Sequence, residues 1–335
     1  MIKRKLGNSD LMVSALGLGC MGMSMGYGSS DDASSMETLK FAIEHDINFL
    51  DTADIYGVGN KFWGHNEILI GKVLAEGYRN KVVLATKCGF VQQKEGADIK
   101  GSGIDASPQY IKKACDESLK RLNIDVIDLY YLHRAEKTVP IEESVGALAD
   151  LVKAGKVRYI GLSEVTETTL NKAAKVHPIT ALQSEYSLFH RKPEKGILAT
   201  CRKLGASFVP YSPLGRGFLT GKVRDISTLE QGDFRRILPK YQDSNFQKNL
   251  SIVDTLVRLA KSKNCTPAQL ALAWLLAQGE DIIPIPGTRS IERLKENIGA
   301  INLKLTDNDL KEINELIPID AAAGEQYPEQ FNLEV

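Results

Sequence analysis

The feature that most constrains the fold of this chain is a repeated alternation of short apolar runs with longer segments of helical period. Each run has the length of a strand and is bounded by polar or turn-forming residues, which is typical of strands buried on both faces of a parallel sheet. The eight runs are Leu16–Cys20, Asn48–Asp54, Val82–Lys87, Val126–His133, Val157–Ser163, Ala181–Ser187, Phe208–Ser212 and Ile282–Pro286. This alternation predicts an α/β protein with the fold of a (β/α)8 TIM barrel, because right-handed crossovers of one parallel sheet close at about that number of strands.

The segments between the runs carry signals for the start and the end of helices. Ser107-Pro108 opens one such segment, and Thr266 to Gln269 has the form of a capping box with proline at the first helical position. Gly155 stands where a helix would end before the fifth run. Barrels of this kind reach the length of this 335-residue chain as one domain, so we predict a single oxidoreductase domain over residues 1–335.

Two segments lie outside the repeat. Ile2–Leu6 and Leu11–Ala15 flank the turn-forming residues Gly7–Asp10, which predicts a short N-terminal β-hairpin on the floor of the barrel. After the seventh run, residues 215–245 form a connection too long and too polar for a minimal turn. Long loops in compact domains usually cover functional sites, so we expect this loop to do so.

Charge and cysteine content exclude several classes of function. The chain has 42 Lys and Arg residues against 42 Asp and Glu residues and no long block of one sign, which argues against nucleic acid or an anionic membrane as a partner. No run reaches the roughly 18 apolar residues of a membrane helix, and the first residues lack an apolar signal core, so we expect a cytoplasmic protein. The cysteines are odd in number and form no C-x-x-C pair, which favours reduced thiols over disulfides or a zinc site. They are Cys20, Cys88, Cys115, Cys201 and Cys265.

A glycine motif near the N-terminus resembles a dinucleotide fingerprint but lacks its context. Gly17–Gly22 matches G-x-G-x-x-G after a strand-like run, yet helical period begins only near Ser34. The fingerprint must open directly into a helix, and a strand ending in an acidic residue must follow about 20 residues later. Ala42–Glu44 reads as helix instead. We therefore interpret the match as accidental.

Four residues suited to proton transfer lie at or just after the ends of apolar runs: Asp51, Tyr56, Lys87 and His133. Residues at the carboxyl ends of barrel strands face the functional end, and adjacent strands lie about 4.8 Å apart, so these side chains can meet. Lys87 would lower the pKa of Tyr56 so that Tyr56 acts as an acid, and Asp51 would keep Lys87 charged. A neutral His133 would hold a substrate carbonyl. Taken alone, a residue of any of these four types is more often a surface or structural residue. That alternative is weaker here, because a Lys and an Asp end buried runs, where an unpaired charge is costly.

Several motifs in the same order closely resemble the aldo-keto reductase superfamily, in particular its branch of bacterial, fungal and plant carbonyl reductases. They cover nearly the whole chain and are Phe49–Gly57, Ala85–Lys87, Asp128–His133, Gly161–Ser163, Gln183–Tyr186, Tyr211–Gly215 and Ile285–Ser290. The resemblance implies a barrel that binds NADPH across its mouth and moves hydride to an aldehyde or ketone. It also implies that Asp51, Tyr56, Lys87 and His133 form the catalytic tetrad, with a small-molecule carbonyl as the partner. We expect no metal site. An oligomeric partner is not evident from the sequence.

The resemblance also implies contacts with the cofactor. Ser163 and Gln183 would face the carboxamide, and Tyr211 would stack on the nicotinamide. The pyrophosphate would lie along Ser212, Pro213, Leu214, Gly215, Arg216 and Gly217. The adenosine 2′-phosphate site, which favours NADP over NAD, would comprise Gly287, Thr288, Arg289, Arg293, Glu296 and Asn297. A plain turn at residues 212–217, or solvated charges at Arg289 and Arg293, is the alternative.

The chain departs from the pattern of many relatives at three positions. Glu164 stands where many carry Asn, which leaves the second carboxamide contact open. Glu136 stands where many of this branch carry Asp, and Gly287 where some carry a Lys for the 2′-phosphate.

The leading hypothesis from sequence is therefore an NADPH-dependent aldo-keto reductase. An alternative is a non-catalytic nucleotide-sensing subunit of the same fold, like those attached to potassium channels, although the chain shows no long N-terminal extension for that role. A barrel enzyme of phosphorylated metabolites would leave the four residues unexplained. Apolar side chains on the first loops would suit hydrophobic carbonyls or would serve only loop packing. They are Met21, Met23, Met25, Tyr27 and Trp63.

Overall fold

A barrel of parallel strands surrounded by helices forms the centre of the computed structural model, which describes residues 1–91 and 103–329. The strands are β1 (Lys3–Lys5), β2 (Met12–Ser14), β3 (Leu18–Gly19), β4 (Phe49–Asp51), β5 (Val83–Cys88), β6 (Phe90–Val91), β7 (Gly103–Ile104), β8 (Ile127–Leu132), β9 (Val157–Ser163), β10 (Ala181–Glu185) and β11 (Ser207–Tyr211). Seven of these form the parallel sheet, in the order β11-β10-β9-β8-β5-β4-β3. The predicted domain also includes residues 92–102 and 330–335, which lie outside the described residues.

Helices follow the barrel strands along the chain, as the alternation predicts. They are α1 (Asp32–Glu44), α2 (His65–Val73), α3 (Pro108–Leu122), α4 (Ile141–Lys153), α5 (Glu167–Val176), α6 (Ile197–Leu204), α7 (Asp243–Ser262), α8 (Pro267–Leu276), α9 (Ile291–Gly299) and α10 (Asp307–Leu316). Ser107 caps α3 by accepting from the backbone N–H of Tyr110. Thr266 and Gln269 form the predicted capping box of α8. Gly155, with φ of 72°, follows the end of α4, so all three helix signals are confirmed.

The eighth apolar run closes the barrel without forming a regular strand. Residues 282–286 lie between β11 and β3, where the Ile283 N–H donates to the Phe208 carbonyl at 2.9 Å and the Gly17 N–H donates to the Pro284 carbonyl at 2.9 Å. Only isolated bridges result, so the prediction of a strand at Ile282–Pro286 is wrong. The reason is local: the prolines at positions 284 and 286 have no N–H and cannot complete a ladder. The barrel is therefore nearly closed, and its (β/α)8 architecture is confirmed.

The glycines of the N-terminal motif are explained by this closure. A Cβ on Gly17 would lie 2.8 Å from the side chain of Phe49, and a Cβ on Gly19 would lie 2.8 Å from the carbonyl of Ile285. The first long helix after the motif, α1, begins only at Asp32. The glycines of the motif therefore allow close packing of β3 against its neighbours. This agrees with the interpretation that the match to the dinucleotide fingerprint is accidental.

The N-terminal hairpin covers the amino ends of the strands. Strand β1 pairs antiparallel with β2, and the Gly7 N–H donates to Ser207 Oγ at 2.7 Å at the start of β11. Leu6, Leu11 and Val13 pack into the core cluster inside the barrel. The predicted hairpin on the barrel floor is confirmed, and the opposite end of the barrel is left open for a site.

Among the described residues, every cysteine is a free thiol, and four of the five are buried. None of the helices in this part of the chain has the length and hydropathy of a membrane span. No three His, Cys, Asp or Glu side chains of the described residues are grouped so that they could ligate a metal ion.

Candidate active site

A cleft of about 1170 Å³ opens at the carboxyl ends of the barrel strands. Its walls come from the loops that follow β3, β4, β8 and β11, from residues of β6, β7, β9 and β10, and from residues between 285 and 297. Asp51, Tyr56 and His133 line the cleft directly, whereas Lys87 lies behind them and has no exposed surface. The four residues singled out from sequence are therefore brought together at one place.

Lys87 is the centre of this group. Its Nζ donates to Asp51 Oδ1 at 2.5 Å, to the backbone carbonyl of Thr52 at 2.7 Å and to the hydroxyl of Tyr56 at 3.3 Å. These three acceptors use the three N–H bonds of the ammonium. Lys87 therefore links the carboxylate of Asp51 to the phenol of Tyr56 and is fixed in orientation.

Gln183, on the other side of the barrel, holds the second oxygen of Asp51. Its Nε2 donates to Asp51 Oδ2 at 2.8 Å. Strand pairing places Gln183 beside Ser163, because β10 and β9 pair in register at these two residues. The sequence pointed to Gln183 only as a cofactor contact, so its support of Asp51 is a role that sequence reasoning missed.

The charges of the buried pair follow from these contacts. Burial lowers the pKa of Lys87, but Asp51 and Tyr56 raise it by more, so its pKa lies above the usual 10.5. Burial raises the pKa of Asp51 above its usual value, while the Lys87 ammonium and the Gln183 amide oppose that shift. At neutral pH, Lys87 is therefore a cation held against a hydrogen-bonded carboxylate.

The pKa of Tyr56 differs from the expectation drawn from sequence. Burial raises the pKa of Tyr56 above 10.0, and Lys87 opposes this rise only in part. The expected net lowering by Lys87 is wrong in this pocket because the phenol is only 8% exposed and desolvation of the phenolate is the larger effect. Tyr56 therefore carries its proton at neutral pH, with an ammonium beside it to stabilise the phenolate that proton donation would leave.

His133 is neutral in this environment. Burial, followed by the charges of Lys87 and Arg134, lowers its pKa well below 6.5. Its ring meets that of Tyr56 edge-on with centroids 6.0 Å apart, and that of Phe90 edge-on at 4.8 Å. Its Nδ1 is buried and has no partner among the described residues. Two polar groups, a protonated phenol and a neutral imidazole, thus stand together at the base of the cleft.

Beside this group lie the residues predicted to face the nicotinamide. Ser163, Gln183 and Tyr211 all line the cleft; Ser163 and Tyr211 end β9 and β11, and Gln183 lies in the middle of β10. The hydroxyl of Tyr211 is hydrogen-bonded to that of Tyr327 at 2.8 Å and accepts from Gln326 Nε2 at 2.9 Å. The ring of Tyr211 is therefore held in place by a segment that is distant in sequence.

That segment, residues 321–329, was not singled out from sequence. The backbone N–H of Ala323 donates to Asn249 Oδ1 at 2.8 Å, and Asn249 Nδ2 donates back to the Ala323 carbonyl at 2.9 Å, which ties the segment to α7. Tyr327 itself lines the cleft. No motif or periodicity marks this stretch, so sequence reasoning had no signal for it.

The loop that follows β11 has an unusual backbone. Ser212, Gly215, Arg216 and Gly217 all adopt positive φ, between 48° and 91°. Two of its amides are used within the loop, because the Gly215 N–H donates to the Ser212 carbonyl at 2.8 Å and the Gly217 N–H donates to the Leu214 carbonyl at 3.0 Å. All residues from 211 to 217 line the cleft except Gly215, whose carbonyl accepts from the hydroxyl of Tyr241 at 2.7 Å.

The guanidinium of Arg216 is already engaged within the protein. Its Nη2 donates to the hydroxyl of Tyr327 at 2.9 Å and lies 3.7 Å from Glu185 Oε2. Only 7% of the side chain is exposed. The sequence suggested Arg216 as a phosphate ligand, but the structure directs its charge toward Glu185 and the C-terminal segment.

The long connection after β11 passes over the cleft. It consists of short helical turns, at residues 215–220, 226–228, 234–237 and 239–241, before α7 begins. Glu230 Oε2 accepts from the Ser29 N–H at 3.1 Å, and the Phe234 N–H donates to the Gly26 carbonyl at 3.0 Å. The expectation that this loop covers the cleft is confirmed.

Basic residues gather at the far end of the cleft, where a smaller cavity of about 430 Å³ continues it. Arg289, Arg293 and Lys222 line both cavities. Arg289 donates to the carbonyls of Gly22 and Tyr27, at 3.3 and 3.1 Å, whereas the guanidinium of Arg293 has no acceptor among the described residues. Lys222 lies 3.8 Å from Glu296, and sequence reasoning missed it although it lies in the loop over the cleft.

The other residues predicted for this end also line the cleft. They are Gly287, Thr288, Glu296 and Asn297. Thr288 Oγ1 accepts from the Ser290 N–H at 3.1 Å, just before α9. The residues predicted to hold the adenosine therefore lie together, just before α9 and along it.

The two acidic residues at which the chain departs from many relatives, Glu164 and Glu136, both accept hydrogen bonds from other groups of the protein. Glu164 adopts φ of 53°, and its Oε1 accepts from the Glu185 N–H at 2.9 Å. It does not line the cleft, whereas Glu136 does. Oε2 of Glu136 accepts from the Ala106 N–H at 2.9 Å, and its other oxygen accepts from Thr138. Both carboxylates therefore stabilise loops around the site.

The apolar residues of the first loops divide between the cleft and the core. Met21, Met25 and Tyr27 line the cleft. Met23 is fully buried in the core, and Trp63 packs against the small cluster around Tyr56. Only part of the predicted apolar set can therefore touch a ligand.

Known proteins are similar to this chain over nearly its whole length. The model of the aldo/keto reductase family matches residues 15–318. A protein named "Probable aldo-keto reductase 1" from Glycine max is 46% identical over 326 residues, covering 96% of this chain and 91% of the relative. The NADP(+) aldo-keto reductase yakc of Schizosaccharomyces pombe is 45% identical over 329 residues, covering 97% and 94%.

Solved structures agree with these relatives. A glycerol dehydrogenase from Gluconobacter oxydans superposes with a TM-score of 0.84 at 30% identity, covering 98% of each chain. An aldo-keto reductase from Bacillus halodurans, in its holo form, superposes with a TM-score of 0.78 at 32% identity, covering 98% of this chain and 99% of that one.

Proposed function

This chain belongs to the aldo/keto reductase family of oxidoreductases, and from that premise we propose that it is an NADPH-dependent reductase of aldehydes or ketones in which Tyr56 donates the proton. The observation that carries the proposal is the contact of Lys87 with both Asp51, at 2.5 Å, and Tyr56, at 3.3 Å. A buried ammonium placed between a carboxylate and a phenol can stabilise that phenol as it loses its proton.

The roles of the residues follow from their charges. A substrate carbonyl oxygen at the base of the cleft would accept hydrogen bonds from the Tyr56 hydroxyl and from a ring N–H of His133. Tyr56 would then transfer its proton to that oxygen, and Lys87 would stabilise the resulting phenolate. Asp51 would act through Lys87 by holding its charge, and Gln183 would hold Asp51 in place.

The residues of the cleft fit a nicotinamide cofactor. NADPH, when bound, supplies the hydride to the carbonyl carbon and becomes NADP(+). Tyr211 offers a flat aromatic face fixed through its hydroxyl. The loop that follows it, at residues 212–217, lines the cleft and would lie along the pyrophosphate. Ser163 and the carboxamide of Gln183 would hold the nicotinamide amide. Lys222, Arg289 and Arg293 would surround the 2′-phosphate.

The direct test follows the loss of NADPH absorbance when the protein is mixed with a panel of aliphatic and aromatic aldehydes and ketones. We expect saturable turnover with at least part of the panel. Tight binding of NADPH without reduction of any carbonyl would contradict catalysis, and absence of NADPH binding would contradict the cofactor site.

The pH dependence of reduction follows from the two shifted groups. His133 has a pKa well below 6.5 and Tyr56 has one above 10.0, so neither changes its charge between these values. We expect kcat/KM for reduction to be constant across that range at saturating NADPH and to fall at higher pH, where Tyr56 loses its proton. The measurement is a pH profile of kcat/KM, and a fall centred near neutrality would contradict the assignment of Tyr56 as the acid.

We expect Arg293 to provide much of the preference for NADPH over NADH. Its guanidinium has no acceptor among the described residues, so a phosphate would be its first strong partner. We expect Arg293→Ala to raise the Kd of NADPH by about tenfold or more and to change that of NADH by less than about twofold.

Fluorescence titration with the two cofactors measures this difference. Lys295→Ala is the matched control, because Lys295 lies on the same helix and its Nζ sits 5.1 Å from the ring centroid of Phe41, outside the cleft. Equal losses for NADPH and NADH in the Arg293 variant would contradict the placement of the 2′-phosphate.

A further inference from the structure

Arg134 is a charged residue of the cleft that the proposed chemistry does not use. It directly follows His133 and lines the cleft. Its Nη1 donates to the backbone carbonyl of His133 at 2.7 Å and to Ser163 Oγ at 3.3 Å. Because Nη1 carries two N–H bonds, these contacts use it fully and fix the plane of the guanidinium.

The other edge of this guanidinium is free. Nε and Nη2 have no acceptor among the described residues, and both remain accessible rather than sealed in the interior. The Nε–H and one Nη2–H point in parallel, which is the pair of donors that binds a carboxylate through both of its oxygens. The protein thus presents a fixed two-donor edge in the cleft, on the residue that directly follows His133.

No carboxylate of the described residues satisfies this charge. None has an oxygen within 4.0 Å of the Arg134 nitrogens. Glu136, two residues away, accepts from Ala106 and Thr138, and Glu164 accepts from the Glu185 N–H. A half-buried guanidinium without an ion pair is costly to maintain, so an anionic ligand would gain more here than at an exposed arginine.

We propose that Arg134 selects substrates that carry a carboxylate close to the reacting carbonyl group. The inference rests on the proposed function and names its substrate class: aldehydes or ketones with an acid group, bound with the carbonyl at Tyr56 and His133 and the carboxylate on the Nε and Nη2 edge of Arg134. The walls nearby are apolar, with Phe90 packed edge-on against His133 at 4.8 Å and Met25 and Ile55 also lining the cleft. An apolar frame with one acid group matches these surroundings.

The amide oxygen of the nicotinamide is the competing occupant of this edge, because Ser163 lies next to Arg134. The two occupants predict different results. A substrate site affects carboxylated substrates selectively, whereas a cofactor contact affects the affinity for NADPH and the turnover of all substrates alike.

The experiment compares 2-, 3- and 4-carboxybenzaldehyde with their methyl esters, which have similar size and no charge. The ratio of kcat/KM between each acid and its ester is measured in the wild type, Arg134→Gln, Arg134→Lys and Lys137→Gln. Lys137 is the control because it is an exposed cation that also lines the cleft. The Kd of NADPH is measured for every variant.

For at least one isomer we expect the wild type to prefer the acid, and Arg134→Gln to lower the acid-to-ester ratio about 20-fold or more. Arg134→Lys keeps the charge but loses the two-donor edge, so its acid-to-ester ratio should lie between those of the wild type and Arg134→Gln. Lys137→Gln should change the ratio less than about twofold. A ratio unchanged in Arg134→Gln overturns the proposal. An equally large fall of the acid-to-ester ratio in Lys137→Gln also overturns it. So does an Arg134→Gln variant in which kcat/KM falls equally for acids and esters and NADPH binds more weakly.

A second readout separates failure of this inference from failure of the proposed function. Benzoate and benzamide are titrated into the NADPH-loaded wild type and Arg134→Gln, with binding followed by calorimetry. Selective binding of benzoate that is lost in the variant supports the carboxylate site even if no aldehyde is reduced. Equal binding of benzoate to both proteins overturns it whether or not the protein is a reductase.

Discussion

The Tyr56→Phe variant is expected to reduce aldehydes with a kcat/KM lower by about 10² or more than that of the wild type. The change removes only the hydroxyl that lies 3.3 Å from Lys87 Nζ, so the proton donor is lost while the ring remains in its cluster. We expect the Kd of NADPH to change by less than about threefold, because Tyr56 is not among the residues proposed to hold the cofactor. Steady-state kinetics and fluorescence titration measure the two quantities.

Tyr130→Phe provides the matched control. Tyr130 is fully buried in the core outside the barrel, and it does not line the cleft. Its loss of a hydroxyl should leave kcat/KM within about twofold of the wild type. A Tyr56→Phe variant as active as the control would exclude Tyr56 as the acid.

The Lys87→Met variant is expected to lose about 10³ in kcat/KM. At about 4 Å and an effective dielectric constant near 20, an ammonium stabilises a phenolate by roughly 4 kcal/mol as an upper estimate, which corresponds to about that factor. Lys87 also neutralises Asp51, and removal of one partner of a buried ion pair typically costs about 3–5 kcal/mol of stability. Thermal unfolding therefore has to accompany the kinetics, so that the loss of rate is measured on folded protein.

Lys240→Met is the control for the loss of a buried lysine. Lys240 is 6% exposed and donates to the carbonyl of Phe189 at 2.7 Å, away from the four central residues. We expect kcat/KM of the double variant, Tyr56→Phe with Lys87→Met, to lie within about threefold of that of the less active single variant, because Lys87 acts through Tyr56. Fully additive losses would show that Lys87 has a separate role.

The architecture and the central residues were accessible from sequence because each depends on local patterns. Buried runs of strand length, the capping box at Thr266 and the hairpin around Gly7 are read from neighbouring residues. The capping box, the hairpin and seven of the eight predicted barrel strands are present in the structure. Asp51 and Lys87 could be placed together because strand ends share one face of a barrel. The eighth strand was predicted wrongly, since its apolar residues hid the effect of two prolines on the ladder.

Contacts between distant segments were not accessible in this way. The pairing of Arg216 with Glu185 and Tyr327, and of Gln183 with Asp51, depends on how the loops fold back over the barrel. The direction of the pKa shift of Tyr56 depends on its burial, which no sequence pattern reports. The free edge of Arg134 is visible only once its other partners are known.

The tie between the C-terminal segment and the cleft bears on how the protein can be attached to a support. Tyr327 is bonded to Tyr211 and Arg216 within the cleft, whereas Ile2 lies 56% exposed beside the hairpin at the opposite end of the barrel. A purification tag or surface linker that displaces the segment around Tyr327 would disturb the hydrogen bond that holds the ring of Tyr211 in the cleft. A linker attached beside Ile2 would act on the floor of the barrel, at the end opposite the cleft, and would leave the ring of Tyr211 undisturbed.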